Sequence, residues 1–276
     1  MIKKYCRRIA LAILLFGVPY AASELVVTER TFRIRMIPEA LKMTLMGHTW
    51  SHMWYLYLIL FLYLITPLLK KVLRVLPVWG VAAVMAVIFL GSSVAPFLNK
   101  VLDVNSIPVL PDGGVYFLYY LCGYFFAVRE VCVDKGRNVW LTAAVAVLAL
   151  GMILSRTLVG FSIQMAYNYP FTVLLAVLLF AAGWNGSIKK HRIPWQEAGA
   201  LSFAVYLVHP VYVNLLYKFV KITPFTVLEQ CGVQSVAAGQ AVLILLLAAF
   251  CLVVLALATA TAWVLRKIPV LRKYVL

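Results

Sequence analysis

Apolar runs of roughly 17 to 25 residues recur along this chain, separated by short clusters of Lys and Arg, and this alternation limits the fold before any single residue is considered. Each run is long enough for a helix that crosses a bilayer core. In hydrocarbon every backbone N–H and C=O must be paired within the segment, which selects helices over open strands. Of the 276 residues, 64% are hydrophobic and 12% charged, about half the share of charge usual in soluble domains. The reading is all-α: a polytopic membrane helix bundle with about eight transmembrane helices, forming one domain over residues 1–276.

The net charge of +16 is the kind of value that accompanies nucleic-acid binding, but its distribution argues for topology instead. The basic residues sit at the ends of apolar runs: Lys3, Lys4, Arg7 and Arg8; Lys70, Lys71 and Arg74; Lys189, Lys190 and Arg192; Arg266, Lys267, Arg272 and Lys273. With both termini in the cytoplasm, roughly two-thirds of all Lys and Arg fall on that side, as the positive-inside rule requires. The expected partner is therefore the lipid bilayer, with no nucleic acid, and the expected location is the cell (inner or plasma) membrane.

The spans read as Ile9 to Ser23, Trp54 to Leu69, Val78 to Pro96, Val115 to Val128, Trp140 to Ser155, Tyr169 to Trp184, Leu201 to Tyr217 and Val236 to Leu265. The first could instead be a cleavable signal peptide; a retained helix is the preferred reading. Between the first two spans, Pro38 to Met46 reads as a short amphipathic surface helix. The segment from Phe97 to Gly114 reads as an external loop. The external acids Glu29, Asp103 and Asp112 could pair with Arg33 or Arg35, and Arg156 and Gln164 stand just outside a span. Cys6, Cys122, Cys132, Cys231 and Cys251 form no C-x-x-C motif or Cys/His cluster, so neither a disulfide framework nor a structural zinc site is supported.

The stretch Leu201 to Tyr217, LSFAVYLVHPVYVNLLY, carries the chemistry. An ionisable group at bilayer depth is costly and turns towards protein or a cavity, so His209 needs a partner. Ser202, Tyr206 and His209 share one helical face. Pro210 has no N–H, which leaves the Tyr206 carbonyl without its helical donor beside the imidazole. The alternative is a neutral histidine hydrogen-bonded purely for packing. His48 and His52 are four apart, a spacing compatible with zinc, but no nearby Cys or carboxylate completes a metal site. His52 and Trp54 are better read as lining an external mouth where a sugar hydroxyl arrives, or as an interfacial belt with Trp50. Arg7 and Arg8 suit phosphate oxygens, or serve only as topogenic charge.

Three segments together resemble acyltransferase family 3: HMWYLYLILFLYLITPLL, YFLYYLCGYFF and LSFAVYLVHP. The last resembles that family's Ser-x-x-x-Tyr-Leu-x-His-Pro signature. The resemblance implies an integral-membrane O-acyltransferase that takes an acyl group, typically acetyl, from cytoplasmic acyl-CoA and places it on a surface or lipid-linked carbohydrate. Acetyl-CoA would be the donor substrate, with no bound cofactor and Arg7 and Arg8 on its phosphates. The resemblance puts the catalytic histidine on the family's first helix; if this chain acts alone, His209, the one histidine within a span, is the base, oriented by Ser202 or Tyr206, and otherwise it supports that residue. The family's usual pair of opening helices, the first bearing an Arg and a His, has no counterpart here, so the chain is expected to be truncated relative to the family. Two alternatives follow: a non-catalytic relative acting as exporter or accessory subunit in glycan assembly, and an unrelated small-molecule transporter.

Overall fold

A computed structural model describes residues 2–111, 113–128, 137–158, 166–184, 195–231 and 236–275. All regular structure among them is helical. Five helical stretches are long and apolar enough to cross a membrane: Lys3–Glu29, Ser51–Val75, Val78–Val101, Glu197–Gln230 and Gly239–Leu265. Shorter apolar helices cover Gly114–Ala127, Val139–Leu154 and Pro170–Gly183. The chain is a multi-pass α-helical membrane protein. It divides into two compact units, one from residues 1–64 and 191–276, the other from residues 65–190.

The first unit contains α1 (Ile2–Glu29), α2 (Met36–Leu45), the opening half of α3 (Trp54–Val75) and, from the later chain, α9 (Trp195–Asn214), α10 (Pro224–Gln230), α11 (Val236–Leu265) and α12 (Pro269–Tyr274). Water does not drive helix pairing inside lipid; close approach and hydrogen bonds do. Small residues supply the approach, since Ala12, Ala204, Ala258 and Ala262 are all buried in this unit's core alongside Met53, Leu56 and Leu207. Hydroxyls supply the bonds: Tyr212 on α9 pairs with Thr261 on α11, and Tyr57 on α3 donates to the Thr44 carbonyl of α2 at 2.5 Å. The amphipathic segment expected at Pro38 to Met46 is α2, which packs on α1. A Cβ on Gly17 would lie 2.7 Å from the Thr44 methyl, which is why a glycine occupies that crossing.

The second unit holds the rest of α3, α4 (Val78–Phe89), α5 (Ala95–Val101), α6 (Gly114–Val128), α7 (Arg137–Leu158) and α8 (Pro170–Trp184). Its cores are small, one around Val115, Leu118, Cys122 and Val173 and another around Leu73, Val81 and Leu121. Here the sequence reading needs correction, because the helix does not end at Pro96. A π-turn, Leu90–Val94, joins α4 to α5, and in that wider register Pro96 would donate to the Gly91 carbonyl. Proline cannot. The Leu110 amide takes over that carbonyl at 2.9 Å, so the orphaned acceptor is satisfied and the helix continues to Val101.

Two other boundaries differ for similar local reasons. Lys70, Lys71 and Arg74 lie on α3 itself, where long basic side chains reach polar surroundings from the last turns and Arg74 complements the helix dipole. The basic tail folds back as α12, with Pro269 at its first turn. Asp112, Cys132, Gln164, Lys189, Lys190, His191 and Arg192 lie outside the described residues.

Candidate active site

The site forms in the first unit, where α9 meets the turn that opens α3. His209 Nδ1 lies 2.8 Å from the Tyr206 carbonyl and 3.3 Å from that of Val205. A carbonyl oxygen only accepts, so Nδ1 carries the hydrogen and Nε2 presents its lone pair. The Tyr206 carbonyl is the acceptor that Pro210 leaves without a donor. The proline break and the imidazole therefore solve each other's bonding problem, and the imidazole tautomer is fixed as a result.

Tyr206 has a second role. Its hydroxyl donates to the backbone carbonyl of His52, tying α9 to the 3-10 turn Ser51–Met53. The His52 ring meets His209 edge-on at 5.8 Å between centroids, and lies 5.7 Å from both Tyr206 and Tyr20. Tyr20 stacks flat on Trp50 at 4.3 Å and donates its hydroxyl to the Leu207 carbonyl at 2.5 Å. Thus α1, the residue 50–52 turn and α9 are joined through one aromatic cluster.

This cluster borders a cavity of about 670 Å³, large enough for a small ligand. Ala21 and Glu24 of α1 line one side, residues 48–52 another, and His209, Asn214 and Lys218 a third. Lys218 approaches Glu24 at 3.9 Å at the rim. Three buried polar atoms of the wall, Thr49 Oγ1, Trp50 Nε1 and His52 Nε2, have no hydrogen-bond partner.

Not every residue singled out from the sequence comes to this place. Tyr206, His209 and His52 do. Ser202 is exposed and donates to the Gly199 carbonyl of its own helix at 2.8 Å, away from the cavity. Trp54 is exposed, with its ring edge-on to Tyr55 at 6.0 Å. Arg7 and Arg8 occupy the opposite end of α1, about 20 Å from Ala21 at 1.5 Å per residue. There α12 packs on α1, and the Arg7 guanidinium lies 5.5 Å from the centre of the Tyr274 ring. Glu29 pairs with Arg33 at 4.0 Å. His48 is exposed on the cavity wall, and no three His, Cys, Asp or Glu side chains gather among the described residues.

Glu24, Asn214 and Lys218 escaped the sequence reading. Lys218 lies nine residues beyond His209, which on a straight α-helix is the opposite face. The π-turn Leu215–Val220 widens the coil, and both residues border the same cavity. Such turns inside helices recur at functional sites.

Neither the curated proteins nor the solved structures offer a match to this chain. A family model described as an acyltransferase domain matches residues 1–264, a span that contains the whole cavity wall, the His-Pro break and the basic start of α1. The chain therefore belongs to acyltransferase family 3, the membrane acyltransferases.

Proposed function

We propose that this protein is a membrane O-acyltransferase that moves an acyl group, acetyl in the simplest case, from cytoplasmic acyl-CoA to a hydroxyl of a surface or lipid-linked carbohydrate. The observation that carries the reading is the orientation of His209, whose Nδ1–H is committed to the Tyr206 carbonyl while the ring borders the cavity. Acyl transfer to an alcohol needs a base for the hydroxyl proton, and a neutral imidazole with a free Nε2 meets that need.

The charge asymmetry places the Arg7 end of α1 in the cytoplasm and the cavity near the outer face. Arg7 and Arg8 hold the phosphates of coenzyme A, for which forked guanidinium groups are suited. The separation of about 20 Å along α1 is comparable to the reach of an extended pantetheine arm, so a donor anchored at one end can deliver its thioester towards the other. The acceptor sugar enters from outside and packs on the ring cluster of Trp50 and His52, as sugars do on aromatic faces. Tyr206 is a positioning residue that acts through the His52 carbonyl. The family match runs through both compact units, which supports reading them as parts of one acyltransferase.

Membranes containing the full chain, supplied with acetyl-CoA labelled in the acetyl group, should label endogenous glycan. His209→Ala should lower the rate per mole of protein by at least about a hundredfold, the usual contribution of a positioned base, at unchanged abundance. Unchanged transfer in that variant would remove His209 from the mechanism. Absence of transfer by the unaltered chain would favour a non-catalytic role in glycan export or assembly.

A further inference from the structure

We infer that Trp50 Nε1–H and His52 Nε2–H together form the oxyanion hole of this acyltransferase, an assignment that rests on the transfer reaction proposed above. Both nitrogens are buried in the cavity wall without a hydrogen-bond partner. A buried donor left unpaired costs about 1–3 kcal/mol, and native structures keep few of them. The indole nitrogen is a donor only, so the group that completes it is an oxygen acceptor. His52 Nε2 joins it as a second donor in the tautomer that carries its hydrogen there, and two such donors beside a histidine with an available lone pair match the demands of a carbonyl carbon under attack.

The local fold holds these donors without using them. The Trp50 backbone is extended, φ −53° and ψ 140°, and its carbonyl accepts from the Met53 amide at 2.9 Å, closing a tight turn. Its indole is sandwiched flat against Tyr20, whose hydroxyl is fixed to the Leu207 carbonyl on α9. The His52 carbonyl is fixed by Tyr206, also on α9. Both nitrogens are thus referenced to the helix that carries His209.

The step balances as follows. The acceptor hydroxyl oxygen attacks the thioester carbonyl carbon, forming a C–O bond, while its proton passes to His209 Nε2. The carbonyl π electrons move onto oxygen, and that oxyanion accepts from Trp50 Nε1–H and His52 Nε2–H. Collapse restores the C=O bond and breaks the C–S bond, and the departing coenzyme A thiolate takes the proton from His209.

The test uses membranes containing the full chain, acetyl-labelled acetyl-CoA and endogenous glycan, with saturating rate and KM for acetyl-CoA read separately. Trp50→Phe preserves the stack on Tyr20 and removes the donor; it should lower the saturating rate by about a hundredfold, with KM changed less than about threefold. His52→Ala should do the same, and His52→Gln, which retains an amide N–H, should keep several times more activity than His52→Ala. A residue that only shapes the wall would raise KM or lower abundance and would not distinguish Gln from Ala. If Trp50→Phe fails to accumulate, the two His52 variants decide alone. Rates within twofold of the unaltered chain for Trp50→Phe and His52→Ala, while His209→Ala is inactive, overturn the oxyanion hole and leave the transfer reading intact. No transfer by the unaltered chain overturns both.

Discussion

The two compact units are built from the same apolar residues, yet they spend their polar groups differently. Residues 65–190 contain no histidine. The buried polar side chains of this unit are hydroxyls of Thr66, Ser92 and Ser93; Thr66 is paired with Tyr120 at 2.5 Å, while Ser92 Oγ, Ser93 Oγ, Trp140 Nε1 and Thr172 Oγ1 are buried without a hydrogen-bond partner and share their unit with no histidine. The unit of residues 1–64 and 191–276 brings His52 and His209 together, cross-braces them with Tyr20 and Tyr206, and leaves Thr49 Oγ1, Trp50 Nε1 and His52 Nε2 buried without a hydrogen-bond partner beside a cavity. Polar groups inside a membrane protein are expensive and mark function. The difference separates a packing unit from a chemical one, and it can be broken by experiment.

The largest effect on abundance should come from Gly114→Val, in the packing unit. A Cβ there would lie 2.0 Å from the Ser92 hydroxyl oxygen and 3.1 Å from its Cβ, so Ser92 must turn away and the two further valine methyls press α6 against the π-turn. Overpacking of this kind costs about 1–3 kcal/mol and sometimes more, enough to lower abundance several-fold. The protein that does accumulate should transfer label at the unaltered rate per mole. A fall in that specific rate, beyond the fall in abundance on immunoblots, would show that the chemistry extends into this unit.

Tyr206→Phe reverses the comparison, being a mild change in the chemical unit. Only the hydroxyl that holds the His52 carbonyl is lost, worth about 1 kcal/mol of stability. The saturating rate should drop about tenfold, since slight misplacement of a reacting group is costly, while thermal unfolding shifts by only a few degrees. An unchanged rate would show that the residue 50–52 turn keeps its geometry without α9.

How much of this was legible beforehand follows from where each signal lives. His209, Tyr206 and Pro210 are neighbours on one helix, so period and missing N–H sufficed to place a carbonyl beside the imidazole. Of the segments that carry the family resemblance, His52, His209 and Pro210 border the cavity. Ser202 shares the helical face, but spacing cannot reveal that its hydroxyl is spent on Gly199. Tyr20 read as part of an ordinary apolar span, because its bond to Leu207 joins positions 187 residues apart. Pro96 looked like a helix end because its rescue by the Leu110 amide is a tertiary event. The π-turn after Asn214 has no sequence signature in this chain, and with it Lys218 was hidden.

The smallest expected effect sharpens the comparison within the chemical unit, between the floor of the cavity and its rim. Glu24 and Lys218 approach at 3.9 Å with about half of each side chain exposed, so solvent screens the pair and it contributes under about 1 kcal/mol. Glu24→Gln should shift thermal unfolding by less than about 2 °C and leave the saturating transfer rate within twofold. The floor behaves otherwise because Trp50 Nε1 and His52 Nε2 are buried, where a displaced charge is screened less than at the exposed rim. If Glu24→Gln instead lowers the rate tenfold with KM for acetyl-CoA unchanged, the rim takes part in the reaction, and exposure ceases to separate the groups that act from those that enclose.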